Sequence, residues 1–261
     1  MILLRHELRQ GRMPLLVWTA VISLMLGACV LIYPEMKGQI SEINSMFSNM
    51  GSFSAAFGMD QVNFGEFTGY FGIECGNILG LGGAFFASLM GISALAKEEK
   101  GQTAEFLLTH PLSRRQVVLE KLAALFLQIL ILNIAAVGGS ILCALIAGES
   151  PEGEIFALLF LAYFLLQLEI GAICFGISAF ISKSGLGMGL GVAALFYFLN
   201  LIANLTEEAR SLKYITPFGY TEGADIVKST GIEIKYLAVG MVLLVAGVVC
   251  AFHRYGKKDM A

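Results

Sequence analysis

The chain has 261 residues, of which 57% are hydrophobic and only 14% charged, with a formal net charge of −3 and a mean hydropathy of +0.76. A soluble domain is roughly 45–50% apolar and about 25% charged, so this composition excludes an ordinary water-soluble globule. The apolar residues fall in long runs, which indicates an all-α, polytopic membrane protein of one domain over residues 1–261. The mildly acidic balance argues against nucleic acid as a partner.

Residues Met1 to Met13 place Arg5, Arg9 and Arg12 among Ile2, Leu3, Leu4 and Leu8. That pattern predicts a short interfacial helix with one basic side. No small-residue cleavage pattern follows it, so it does not read as a signal peptide. Span one is expected over residues 14–33, with Pro14 in its first turn and Trp18 at the interface. A polar segment, 34–69, follows, and its stretch Asn44 to Phe57 is expected to form short helices. Span two covers 70–96 and is rich in glycine, with Gly72, Gly76 and Gly80 at intervals of four. Span three covers 122–147, and the turn Gly148 to Gly153 leads into span four, 155–181. The turn Ser182-Lys183-Ser184 precedes span five, 185–205, which contains Gly187 and Gly191. Small residues four apart let helices approach closely, so both glycine sets predict packing contacts. A second polar segment, 206–235, precedes span six, 236–252, and a basic tail.

Six spans put both termini on one side. Twelve of the seventeen Lys and Arg fall on that side, which also carries Lys97–Lys121. The bias predicts that the termini and this stretch are cytoplasmic.

The 97–121 stretch reads KEEKGQTAEFLLTHPLSRRQVVLEK, the only long polar interruption that carries charges of both signs yet keeps an amphipathic pattern. Thr103 suits an N-cap, and Ala104, Leu107 and Leu108 share one helical face. His110-Pro111 stops that piece. Ser113-Arg114-Arg115-Gln116 has the capping-box form, and a second helix runs from it into span three. A short helix is thereby held at the membrane face between spans two and three.

Two acids lie within apolar runs, Glu74 in span two and Glu169 in span four. A charge at the bilayer centre costs about 2.5–3.5 kcal/mol on insertion scales, so each should face protein or water, or be protonated. They are candidates for a substrate path or a cation site. A helix–helix hydrogen bond, or surface exposure for Glu74, would also explain them. Asn133, Asn200 and Asn204 fit interhelical hydrogen bonds better than substrate contact. The five cysteines form no Cys-x-x-Cys pair and read as small apolar residues, and His6-Glu7 lacks a second His at helical spacing, so no metal site is expected. No Gly-x-x-x-x-Gly-Lys-Ser/Thr run occurs, so the chain is not expected to hydrolyse ATP itself.

The run Glu98-Glu99-x-Gly101-Gln102-Thr103-x-Glu105-x-Leu107-Leu108, followed by Pro111-Leu112-Ser113-Arg114 and Lys121, resembles the cytoplasmic loop of ABC-2-type permeases, the membrane subunits of ABC exporters. Gln102, between the Gly and the Thr, departs from the family pattern. Leu212-Lys213-Tyr214-Ile215-Thr216-Pro217-Phe218 is similar to the segment that precedes the family's sixth span. The resemblance covers essentially the whole chain. It implies a permease that pairs with a second copy or a homologous permease in the lipid bilayer of a cell membrane, a bacterial plasma membrane by expectation. It also implies a cytoplasmic ABC ATPase subunit, which would use ATP and Mg while this chain binds no cofactor. Thr103, Glu105, Phe106, Leu107, Leu108, Pro111, Ser113, Arg114 and Arg115 would form the ATPase-coupling helix, and transport would be export. An ion-coupled secondary transporter and a membrane enzyme using Glu74 or Glu169 are the competing readings. The first would need inverted repeats, and none is convincing. Against the second, no His lies within a span.

Overall fold

The computed structural model describes residues 2–100, 113–181 and 185–257, and among them every regular element is helical. Among the described residues six helices are long and apolar enough to cross a membrane, the number expected from the sequence. Span one runs Arg12–Met36, continuing past Pro34 for two residues. Span two is composite: Phe67–Cys75, a wide π turn over Gly76–Gly80, then Leu81–Lys100. Spans three to six are Arg114–Ala147, Gly153–Ser178, Leu186–Leu205 and Ile234–Lys257. The shortest has 20 residues, which at about 1.5 Å per residue reaches ~30 Å.

Local chemistry sets the ends. Ser113 caps span three, its Oγ accepting the Gln116 N–H at 3.2 Å. Only half of the expected capping box forms. The Gln116 side chain turns along the helix to donate to Glu120 at 3.1 Å rather than back to the cap. Gly148 ends the span at φ +70°, a left-handed conformation that glycine adopts without a Cβ clash.

Spans two and four form the centre. In each, 67% of the apolar window is buried, against 22% in spans one and five and 17% in span six. Water expulsion cannot drive helix association inside lipid, so contact depends on close approach and hydrogen bonds. Glycine supplies the approach. A methyl on Gly91 would collide with the Gly171 carbonyl, and one on Gly247 would lie 2.5 Å from the Ala172 carbonyl. Backbone therefore lies on backbone where span four meets spans two and six. Gly76 and Gly80 both face the Tyr163 ring, and Gly83 faces Gln167. Buried amides cross-link the same region. Asn133 donates to the Ile129 carbonyl at 2.8 Å and to Gln167 Oε1 at 2.7 Å, while Gln167 donates to the Leu79 carbonyl at 3.3 Å. Asn133 thus makes an interhelical bond, as its position suggested.

Gly187 and Gly191 differ from expectation. Among the described residues nothing lies within 4 Å of a methyl built on either, so they face away from the described helices. It is Gly189 that meets Ile92 and Ser88 of span two. Trp18 also differs: it is half-buried and rests on Phe86 of span two, with ring centroids 6.4 Å apart.

The two ends of the bundle differ. At the terminal end, the helix Ile2–Gln10 packs beside the start of span three. At the opposite, distal end, helices Ile40–Asn49 and Ser52–Ala56 precede span two. Turns at Glu208–Tyr214 and Pro217–Tyr220, then helix Gly223–Ser229, precede span six.

Gly91→Ala and Gly247→Ala should each destabilise the protein by about 1–3 kcal/mol through overpacking. Gly187→Ala should be neutral or slightly stabilising. Thermal unfolding of the three purified variants in one detergent measures the contrast.

Candidate functional site

The terminal end holds a buried ion cluster. Glu7 is 6% exposed and Lys121 is 1% exposed. Lys121 Nζ donates to Glu7 Oε1 at 2.7 Å and to the Ala94 carbonyl at 2.9 Å. Lys97 donates to the other Glu7 oxygen and, at 2.8 Å, to Gln10 Oε1. The Leu4 amide donates to Glu120 at 2.9 Å. One carboxylate therefore joins the first helix to the end of span two and the start of span three. Those two helices flank residues 101–112. Thr103, Glu105, Phe106, Leu107, Leu108 and Pro111 fall in that stretch and lie outside the described residues. Of the remaining coupling candidates, Arg115 is exposed, and Arg114 donates to the Gly256 carbonyl at 3.3 Å, near the end of span six. A cation suits a helix C-terminus, where carbonyls lack helical partners.

At the distal end, the chain between spans five and six turns back into the bundle. Thr216 Oγ1 donates to the Phe196 carbonyl at 2.8 Å and accepts the Phe218 N–H at 3.2 Å. Pro217, which has no N–H to satisfy, opens the short turn. Phe196 lies nine residues before the end of span five, about 13 Å into it. Irregular backbone at such depth is tolerable only inside protein, and residues 216–221 are all buried.

This re-entrant turn brings two acids to two places. Tyr220 meets Glu169, whose carboxylate is fully buried and lies against Gly240 of span six. Two residues on, Glu222 Oε2 accepts from Asn204 at 2.7 Å and from Asn200 at 3.2 Å. Asn204 also donates to the Ala56 carbonyl at 3.1 Å. Glu222, Asn200, Asn77 and Tyr163 line a cavity of about 30 Å³. A wider cleft of about 590 Å³ opens beside it, lined by Asn204, Arg210, Lys213, Asp225 and Lys228 among others. Burial raises the Glu222 pKa above the ordinary carboxylate value; the Asn204 hydrogen bond and the Lys213 charge oppose this in part. Glu74 is apart from this cavity. It is half-buried, and Cys29 Sγ of span one donates to it at 3.9 Å.

The family model for ABC-2 family transporter proteins matches residues 1–260. The chain belongs to the ABC-2 transporter family. No curated protein matches it. With six helices of spanning length, it is a multi-pass membrane protein of an ABC transport system. In this ABC-2 chain, the segment that resembled the family's pre-span-six motif is the re-entrant turn itself.

Sequence reasoning singled out Glu169 but passed over Glu7 and Glu222. Glu7 sits 90 and 114 residues from its lysines. Its one local signal was an acid among the arginines of a basic helix. Glu222 looked like one more acid in a polar loop, and only the turn at Thr216-Pro217 hinted that the loop folds inward.

Glu7→Gln leaves Lys121 buried without its carboxylate and should cost about 3 kcal/mol. Adding Lys121→Met should recover part of that loss, which denaturant or thermal unfolding of the single and double variants would reveal. For Glu222, the folded chain holds its proton to higher pH than the unfolded chain does. Its stabilising contribution is therefore complete at low pH and fades as pH rises through the raised value. Lys213, Asp225, Tyr163 and Tyr197 couple to this charge. Glu222→Gln should flatten that slope in unfolding measured against pH.

Proposed function

We propose that the chain is the permease subunit of an ATP-driven exporter and couples to a separate cytoplasmic ATPase through residues 103–121. The observation that carries this reading is the family match over residues 1–260. The ion cluster adds support. A push on the 101–112 loop would reach spans two and three together, because Glu7 ties Lys97 and Lys121 to one helix. From span two the displacement would pass to span four through the contacts of Gly76, Gly80, Gly83 and Gly91. Span four carries Tyr163 at the distal cavity and Glu169 beside the re-entrant turn.

In this reading Thr103, Glu105, Phe106, Leu107, Leu108, Pro111 and Ser113 shape the docking helix, and Arg114 and Arg115 meet acids at the rim of the ATPase. The charge bias supports a cytoplasmic position for this stretch. A second copy or a homologous permease completes the path in the bilayer of a cell, by expectation bacterial. ATP and Mg are used by the partner. Glu169 is the stronger candidate for the path: its carboxylate is fully buried between Tyr220 and Gly240, whereas Glu74 is only half-buried, against Cys29.

Two experiments test the reading. Tagged chain expressed with its native neighbours should copurify an ABC ATPase, and Leu107→Asp with Leu108→Asp should abolish that copurification while the chain stays in the membrane. Retention of the ATPase by that double variant would remove the docking assignment. Glu169→Gln should keep the ATPase bound but lower cargo-stimulated ATP hydrolysis at least tenfold. Undiminished stimulation would take Glu169 off the path.

A further inference from the structure

The cavity at the distal end is lined by hydrogen-bond acceptors that the protein does not fully use. Asn200 is 5% exposed, and its Nδ2 is committed to Glu222. That commitment fixes the orientation of the amide. Its Oδ1 is then left buried with no donor among the described residues. A buried, unsatisfied acceptor is rare in native structures and calls for a water or an ion.

The charge balance points the same way. Glu222 brings a carboxylate into the cavity wall, and its amide partners are neutral. Among the described residues the buried cation that acts on Glu222 is Lys213, and its bond to Asp225 at 3.1 Å partly offsets its charge there. Tyr163 does not supply the missing donor, because its hydroxyl faces the Gly72 carbonyl at 3.5 Å. Thr221 donates to the Phe218 carbonyl at 3.0 Å. The cavity thus offers a carboxylate and an amide oxygen to whatever enters it. Its volume of about 30 Å³ has room for one or two bodies the size of water.

We propose that Glu222 and Asn200 Oδ1 form a binding site for a small monovalent cation, at the junction of spans two, four and five and the re-entrant turn. Oxygen donors with one formal negative charge suit a hard alkali ion or an ammonium ion. Asn204 positions the Glu222 carboxylate from the rim of the wider cleft, and Ala56 holds Asn204 in turn. Occupation of the site would join span five to the turn that carries Tyr220 and would add a positive charge where the cavity lacks one. The site stands on local geometry and does not depend on the cargo or on the ATPase.

The test is ligand-linked stability of the purified full chain in detergent, since a cation that binds only the folded state raises its unfolding temperature. Sodium, potassium and ammonium chloride are titrated separately, with choline chloride holding ionic strength constant. A saturable rise of roughly 5 °C with at least one small cation is expected. A response to sodium over ammonium assigns the site to a metal ion, and the converse assigns it to an amine. Glu222→Gln keeps an acceptor for both asparagines and should fold, yet lose the response. Asn200→Ser should weaken the response at least tenfold in apparent affinity. Equal stability in choline and in all three small cations would overturn the proposal and leave water as the occupant. An unchanged response in both variants would overturn it as well. If Glu222→Gln fails to fold, the wild-type salt series and Asn200→Ser still decide the matter.

Discussion

The structure depends on the seam where spans two and four touch backbone to backbone. In lipid a leucine gains nothing by leaving one apolar surroundings for another, so the usual force of a protein core is weak between helices. What remains is dispersion at short range and the satisfaction of polar groups, and both require close axes. Gly91 against Gly171, and Gly76 with Gly80 against Tyr163, bring the axes in. Once they are close, Gln167 can reach the Leu79 carbonyl and Asn133 can reach Gln167. The seam thereby permits a polar network at a depth where an unpaired amide would be costly. Span six uses the same device through Gly247, which leaves span four enclosed on both sides.

Around this rigid centre the two ends do different things. At the terminal end, attachment is ionic: Glu7 gathers two lysines from helices that a long loop separates in sequence. Desolvation offsets much of the Coulomb gain of such a cluster, so geometry is its larger contribution. At the distal end, attachment is through hydrogen bonds to backbone, with Thr216 on Phe196 and Asn204 on Ala56. The first of these lets the chain between spans five and six enter the bundle, and it places Tyr220 and Glu222 among groups contributed by spans two, four and five.

The architecture was legible in the sequence because the features that encode it are local. Twenty-residue apolar runs, the Ser113 cap and the small-residue spacing of span two each lie within a few turns of chain. Intramembrane acids are conspicuous against an apolar background, so Glu169 stood out. The rest depended on distance. Glu7 is meaningful only beside Lys97 and Lys121, and Glu222 only beside Asn200 and Asn204. Spacing alone also misled: Gly187 and Gly191 repeat at four, yet Gly189 makes the contact, because the face a helix presents is set by its neighbours. The loop of Thr103 to Pro111, read from sequence as the coupling helix, lies outside the described residues, so its reading continues to rest on pattern and family.

The wide turn in span two explains how a four-residue glycine repeat can serve one partner. In a regular α-helix, residues four apart drift by roughly 40° around the axis, so a third member of the series points well away from the first. The Leu81 N–H reaches back five residues to the Gly76 carbonyl, which adds one residue to the turn and cancels much of that drift. Gly76 and Gly80 consequently meet the same aromatic ring. Angular phase is the quantity conserved here. Removing a single residue between Gly76 and Gly80 would restore ordinary helical winding with the flanking turns nearly in phase, but it would leave the two glycines three positions apart and about 60° out of line.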